Sequence, residues 1–139
     1  MVKEVFVEWE DRYSVGIPAI DRQHKELLNL TNELYNVCQL GDEAAHEHFR
    51  SVIHKAVEYV KFHFSAEEQI MEKIKFPELP DHKKQHESFV RQVLENVGEF
   101  ESGKRFVPNA FVRFLKDWIL THIAMSDQKY HTYIIGLKR

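Results

Sequence analysis

From about Ile20 to Gln39, Leu27, Leu30, Leu34 and Val37 recur every three or four residues, with Cys38 beside them, and predict an amphipathic helix. Pro18 just ahead suits a helix start, Asp21 suits the positive end of its dipole, and Gly41 suits its stop. A longer stripe of Phe49, Val52, Ile53, Val57, Val60, Phe64 and Ile70 predicts a second helix from about Asp42 to Lys73. Phe76-Pro77-Glu78-Leu79-Pro80 must break it. A third helix is expected from near Asp81, a good N-cap, through His86, Phe89, Val93, Val97 and Phe100 to a stop at Ser102-Gly103-Lys104. A fourth is expected from near Pro108 to about Ile135, with Phe111, Leu115, Trp118, His122 and Met125 on its inner face. Residues 1–19, with Trp9, Tyr13, Gly16 and Pro18, show no sustained period and predict an irregular arm.

Four amphipathic stretches with short connections, and no strand pattern, predict an all-α, antiparallel, up-down-up-down four-helix bundle behind that arm. A length of 139 residues fits one domain, arm about 1–19 and bundle about 20–135, large enough to bury a core without staples. Nineteen basic against 22 acidic residues, interspersed, give no nucleic-acid footprint. Cys38 stands alone, which excludes an intrachain disulfide and a thiolate-rich metal site, and is expected to pack as a small buried hydrophobe. Met1 to Phe6 contain no apolar leader core, and no run approaches the roughly 20 apolar residues of a membrane span, so the expected location is cytoplasmic.

Histidine changes the picture, with nine in the chain. His63 and Glu67 are four apart on the second helix, and His82 and His86 are four apart on the third, so each pair shares one face. His24 shares the face of Leu27, Thr31 and Leu34, and His122 lies four beyond Trp118 and seven beyond Leu115. Asp127 follows His122 by five. A lone inward histidine is more often a hydrogen-bonded core residue than a ligand. Five histidines and two carboxylates converging from four helices would be very costly to bury without partners. A metal centre removes that cost by making them ligands. His46, His48, His54 and His131 are expected at the surface.

Imidazole with carboxylate suits iron, zinc, copper or nickel, and seven groups without thiolate exceed what a structural zinc takes. Seven ligands fit two metals sharing two bridging carboxylates and one oxygen. The ion with three histidines is then closed, and the ion with two keeps an open position for one small ligand. The fourth helix poses a geometric problem. A five-residue step turns a regular α-helix by about 140° net, against about 40° for a four-residue step. A regular helix would therefore aim Ser126, not Asp127, at the site. A π-type bulge or a break near Ala124-Met125-Ser126 is expected.

The segments Tyr13-Ser14-Val15-Gly16-Ile17, Ile20-Asp21-Arg22-Gln23-His24-Lys25, His63-Phe64-Ser65-Ala66-Glu67-Glu68, Pro80-Asp81-His82 with His86, and Trp118 through His122-Ile123 to Asp127 and Tyr130 together resemble the hemerythrins, above all the stand-alone bacterial ones. The resemblance implies two iron ions with an oxo or hydroxo bridge. It implies His82, His86 and His122 on the closed iron, His24 and His63 on the open one, and Glu67 and Asp127 as bridges. It also implies dioxygen as the ligand, bound end-on and released unchanged, in an apolar pocket of Phe64, Trp118, Ile119 and Ile123. The family often carries leucine at the position of Ile119, a departure that would alter pocket shape.

Five neutral imidazoles and two carboxylates donate little negative charge, so high-valent iron is poorly stabilised and oxygen cleavage is disfavoured. Ferritin-like oxidases use four glutamates and two Glu-Xaa-Xaa-His motifs. The one such spacing here, Glu43 to His46, lies outside the inward set. The expected function is therefore non-enzymatic: reversible oxygen binding for storage, delivery or buffering, with no nucleic acid and no assignable protein partner. The alternatives are an oxygen or redox sensing module, or a di-iron enzyme acting on peroxide or nitric oxide.

Overall fold

Pro18, whose missing amide hydrogen costs nothing at a helix start, occupies the first turn of α1 (Pro18–Cys38), two residues ahead of the expected start. The computed structural model describes residues 5–40, 43–103 and 108–138. Gly41, Asp42 and Lys104, expected at turns and helix ends, lie outside them. Beyond α1 come α2 (Glu43–Lys73), α3 (Leu79–Glu101), α4 (Pro108–Thr121) and α5 (Asp127–Leu137). A single π-helical turn, His122–Ser126, joins α4 to α5 as one rod, so the bundle has four columns. Among the described residues there is no strand, and no helix is long and apolar enough to cross a membrane.

α3 begins at Leu79 rather than at Asp81. Pro80 is tolerated within the first turn, so Asp81 becomes an acidic residue inside that turn instead of its cap. α2 ends in a Schellman motif: Phe76 N–H donates to Met71 O (2.9 Å) and Lys75 N–H to Glu72 O (3.1 Å), with Lys75 at φ 57° where glycine is usual. The motif turns Phe76 inward against Met71, which is fully buried, whereas Ile70 of the expected stripe is only half-buried.

α1 packs on α2 and α4, and α2 packs on α3. The core falls into two apolar clusters. The larger takes Leu27, Leu34, Val60, Phe64, Phe89, Leu115, Ile119 and Ile123 among others, and the smaller takes Val15, Ile20, Met71, Phe76 and Tyr130. Apart from Phe64 and Ile123, which directly follow His63 and His122, the larger lies after His24 on α1, before His63 on α2, after His86 on α3 and before His122 on α4. That alternation is the antiparallel arrangement. Burying each such aliphatic or aromatic side chain contributes roughly 1.5–3 kcal/mol. The interval between the clusters is filled by the polar groups described next.

The arm is tied to α1 at two points. Asn32 accepts the amides of Phe6 (2.7 Å) and Val7 (2.9 Å) and donates to Val7 O (2.7 Å). Asp21 accepts from Val15 N–H (2.9 Å) and from the Ser14 hydroxyl. A short 3₁₀ turn, Asp11–Tyr13, lies between them.

Candidate metal centre

His24 on α1, His63 and Glu67 on α2, His82 and His86 on α3, His122 in the π turn and Asp127 at the head of α5 all meet between the two apolar clusters. Each is at most 5% exposed. Asp127 reaches the group because the π turn inserts one residue: its amide donates to His122 O, five residues back. Met125, expected on the inner face, is instead 65% exposed. The wide turn passes the inward direction from position 126 to 127, and Met125 is carried outward. Ser126 turns to α3, where its hydroxyl donates to Gln85 Oε1 (2.7 Å).

The seven groups divide in two, and each carboxylate is split between the halves. Glu67 Oε1 lies 3.2 Å from His82 Nε2 and 3.1 Å from His86 Nε2, while Glu67 Oε2 lies 3.4 Å from His24 Nε2 and 3.6 Å from His63 Nε2. Asp127 Oδ1 lies 3.0 Å from both His82 and His122 Nε2, and its Oδ2 lies 3.1 Å from His24 Nε2. His122 Nε2 is also 3.0 Å from His86 Nε2 and 3.1 Å from His82 Nε2.

One imidazole nitrogen cannot share a single proton or lone pair among so many neighbours; a cation between them can serve them all. Metal–nitrogen bonds of roughly 2.1 Å put adjacent octahedral donors about 3.0 Å apart and opposite ones about 4.2 Å apart. In the three-histidine half six donor pairs stand 3.0–3.2 Å apart, the adjacent spacing, and Glu67 Oε1 stands 3.9 Å from His122, nearer to that of an opposite donor. A six-coordinate ion held by those five groups would keep one corner without a protein group, and one held by the four groups of the two-histidine half would keep two.

Orphaned polar atoms point the same way. Both oxygens of Asp127 and both ring nitrogens of His24 are buried with no hydrogen bond aimed at them. Natural proteins rarely leave such groups unsatisfied. Burial opposes the charged forms of His24 and His82, but Asp127 and Glu67 outweigh it and hold both imidazoles at about 9. His122 is raised against the same burial by the same carboxylates, whereas burial prevails at His63 and lowers it to about 4. Burial also disfavours ionised Glu67 and Asp127, yet the imidazoles keep both below the usual carboxylate range. Protons thus balance the carboxylates where no cation does, and cations would displace them.

Four expected pocket residues, Phe64, Trp118, Ile119 and Ile123, line a cavity of about 10 Å³ together with Leu27, Val60, Phe89, His63, His122 and Asp127. That is room for about one water-sized molecule. Phe64 stacks on His86 (3.7 Å, 2°) and Trp118 stacks on His122 (4.4 Å, 12°). Phe64 also lines an open groove of about 670 Å³ between α2 and α3, so it borders both spaces.

A family model described as the hemerythrin HHE cation binding domain matches residues 15–134. The chain belongs to the hemerythrin family. It is 33% identical to the bacteriohemerythrin of Stenotrophomonas maltophilia (strain R551-3), over 88% of this chain and 77% of that protein. It is 31% identical to a hemerythrin-like protein of Naegleria gruberi, over 88% of each. A crystal structure of wild-type hemerythrin superposes with a TM-score of 0.85 at 24% identity, over 91% of this chain and 96% of that one.

This hemerythrin-family site has supports to which sequence periodicity assigned no role. His63 Nδ1–H donates to Gln23 Oε1 (2.7 Å), His86 Nδ1–H to Glu68 Oε2 (2.8 Å), and the Tyr130 hydroxyl to Glu67 Oε2 (2.8 Å). Such partners fix ring tautomers and aim Nε2 inward. Burial and the nearby carboxylates push the Tyr130 phenol well above its ordinary range, so it stays a donor. Gln23 and Glu68 each adjoin a site residue in sequence, and that adjacency was the available signal. Of the remaining histidines, His46, His48 and His54 are exposed as expected. His131, also expected there, is half-buried, because its ring packs against Gly16 of the arm. Cys38 is half-buried rather than buried, and that burial lifts its thiol to about 11.

Proposed function

We propose that this chain binds dioxygen reversibly at a non-haem di-iron centre and so stores, delivers or buffers oxygen. The observation that carries the reading is the splitting of Glu67 and Asp127 between a three-histidine half and a two-histidine half, with an apolar cavity that reaches His63, His122 and Asp127. His82, His86 and His122 would hold one iron, His24 and His63 the other, and both carboxylates would bridge them. Two ferrous ions there would supply the electrons that hold dioxygen and recover them on release.

The protein's own part is to orient and to exclude. Gln23 and Glu68 accept Nδ1 protons, so His63 and His86 present Nε2 to the site. Tyr130 keeps its proton on Oη, directed at Glu67 Oε2 and away from the cavity. Phe64, Trp118, Ile119 and Ile123 keep water from the open side and offer no acid that could push the ligand toward cleavage. The experiment is an optical spectrum of the reduced protein before air, after air, and after deoxygenation. A band that appears and then disappears without loss of iron supports the reading. Net consumption of peroxide or nitric oxide over many turnovers would replace it with an enzymatic one.

Purified protein should carry iron at close to two per chain. One zinc per chain, with no iron taken up on anaerobic reconstitution, would sink the proposal. Because ligation also relieves the buried orphans, removing the metal should lower the melting temperature by roughly ten degrees or more, readable by circular dichroism.

A further inference from the structure

The site residues differ in how they are held. His63, His86 and Glu67 each have a hydrogen-bonding partner outside the donor set, whereas the neighbours found within 3.0–3.1 Å of the Asp127 oxygens are imidazoles of the site itself. The place of Asp127 is therefore set by its backbone, and that backbone emerges from a π turn, a local geometry rare in helices. Something must hold the turn. Where spacing of five residues returns to four, the helical ladder skips a carbonyl, which then needs a donor from elsewhere.

The next residue supplies one. The Gln128 side-chain amide lies 3.3 Å from Ile123 O, inside the turn, and 3.3 Å from both Tyr13 O and Ser14 O of the arm. Its own oxygen faces His131 Nδ1 at 3.3 Å. The arm at this point is well anchored: Tyr13 and Val15 are buried, and Asp21 accepts from Ser14 and Val15. Gly16 closes the loop. It sits at φ +74°, and a Cβ there would stand 2.9 Å from His131 Nε2.

We propose that Gln128 is a positioning residue: by joining the π turn to the arm it fixes the backbone that sets Asp127 between the two histidine halves. The inference rests on the di-iron reading, in which Asp127 is a bridge. It assigns the arm a share in metal binding although no arm residue belongs to the donor set.

The test compares iron-loaded wild type with Gln128→Leu, which lacks donors, Gln128→Lys, which restores a long donor, and Gly16→Ala, which disturbs the same junction from the arm. The readouts are iron per chain under chelator challenge, magnetic coupling between the irons, and amide exchange over residues 122–128. Gln128→Leu is expected to hold its second iron roughly ten-fold or more weakly, with weakened coupling and faster exchange confined to the turn. Gln128→Lys should recover most of this, and Gly16→Ala should reproduce it. The Gly16→Ala/Gln128→Leu double variant should be little worse than either single one, since both act through one junction. Wild-type chelator resistance and coupling in folded Gln128→Leu overturn the proposal, as does failure of Gln128→Lys to rescue. Should Gln128→Leu not fold, unchanged chelator resistance in Gly16→Ala overturns it instead. A wild type that never holds two irons overturns the parent reading, which is a distinguishable failure.

Discussion

Replacing Glu67 by glutamine should cost the protein both metal ions, whereas replacing His63 by alanine should cost it one. Glu67 is the side chain whose two oxygens face opposite halves, Oε1 toward His82 and His86 and Oε2 toward His24 and His63. Glutamine keeps the shape and leaves an acceptor for Tyr130. It removes the negative charge, and its amide group turns donors toward the place the proposed cations would occupy. The loss of affinity should exceed the roughly 10–100-fold seen when a mere outer partner of a ligand is removed. His63 touches the two-histidine half alone, so its loss leaves the five-donor half intact. Metal analysis after desalting reads the difference directly. Two irons retained by Glu67→Gln, or an equal loss in the two variants, would show that the halves do not share this carboxylate. Melting curves of the metal-free proteins separate this from misfolding, because an amide is cheaper to bury than a carboxylate.

The bundle was legible because its stripes are dense and its breaks carry proline, glycine or both, as between Lys73 and Leu79. The histidines and Glu67 were legible for a related reason: each lies on a stripe already committed to the interior, so helical phase alone brings them together. Asp127 was legible only through a contradiction. Its five-residue step from His122 does not fit a regular helix, and the π turn resolves it. The same turn explains the error at Met125, which was placed by extending a 3.6-residue period through a region that does not keep it. What phase cannot give is the outer layer. Gln23, Glu68 and Gln128 each stand one position from a site residue, off the stripe, and act on partners 40, 18 and 115 residues away. Nor does phase separate a core residue from a cavity wall, and Phe89 and Leu27 are both.

Ile123→Glu should leave two irons in place and abolish oxygen binding. Ile123 follows His122 in the π turn, is 2% exposed, and lines the cavity with His63 and Asp127. The cavity is bordered by His63 of one half and His122 of the other, and in the proposed site the half with fewer protein donors is the one that could take a carboxylate from residue 123 in the position a small ligand needs. The oxygen-dependent optical change should vanish, and azide should no longer bind. Ile123→Leu, similar in volume and uncharged, should retain both responses. The buried charge also makes a prediction that a merely damaged pocket would not. In the metal-free protein the new carboxylate has no counter-charge of its own, so the variant should be less stable than wild type, by about 3–5 kcal/mol as for a buried charge left unpaired. Iron supplies that counter-charge, so loading should raise the melting temperature of Ile123→Glu by more than it raises that of the wild type. A variant that keeps the full oxygen-bound spectrum with unchanged affinity would show that the ligand binds elsewhere. One that loses iron and gains no extra stability from loading would show that residue 123 does not face the metals.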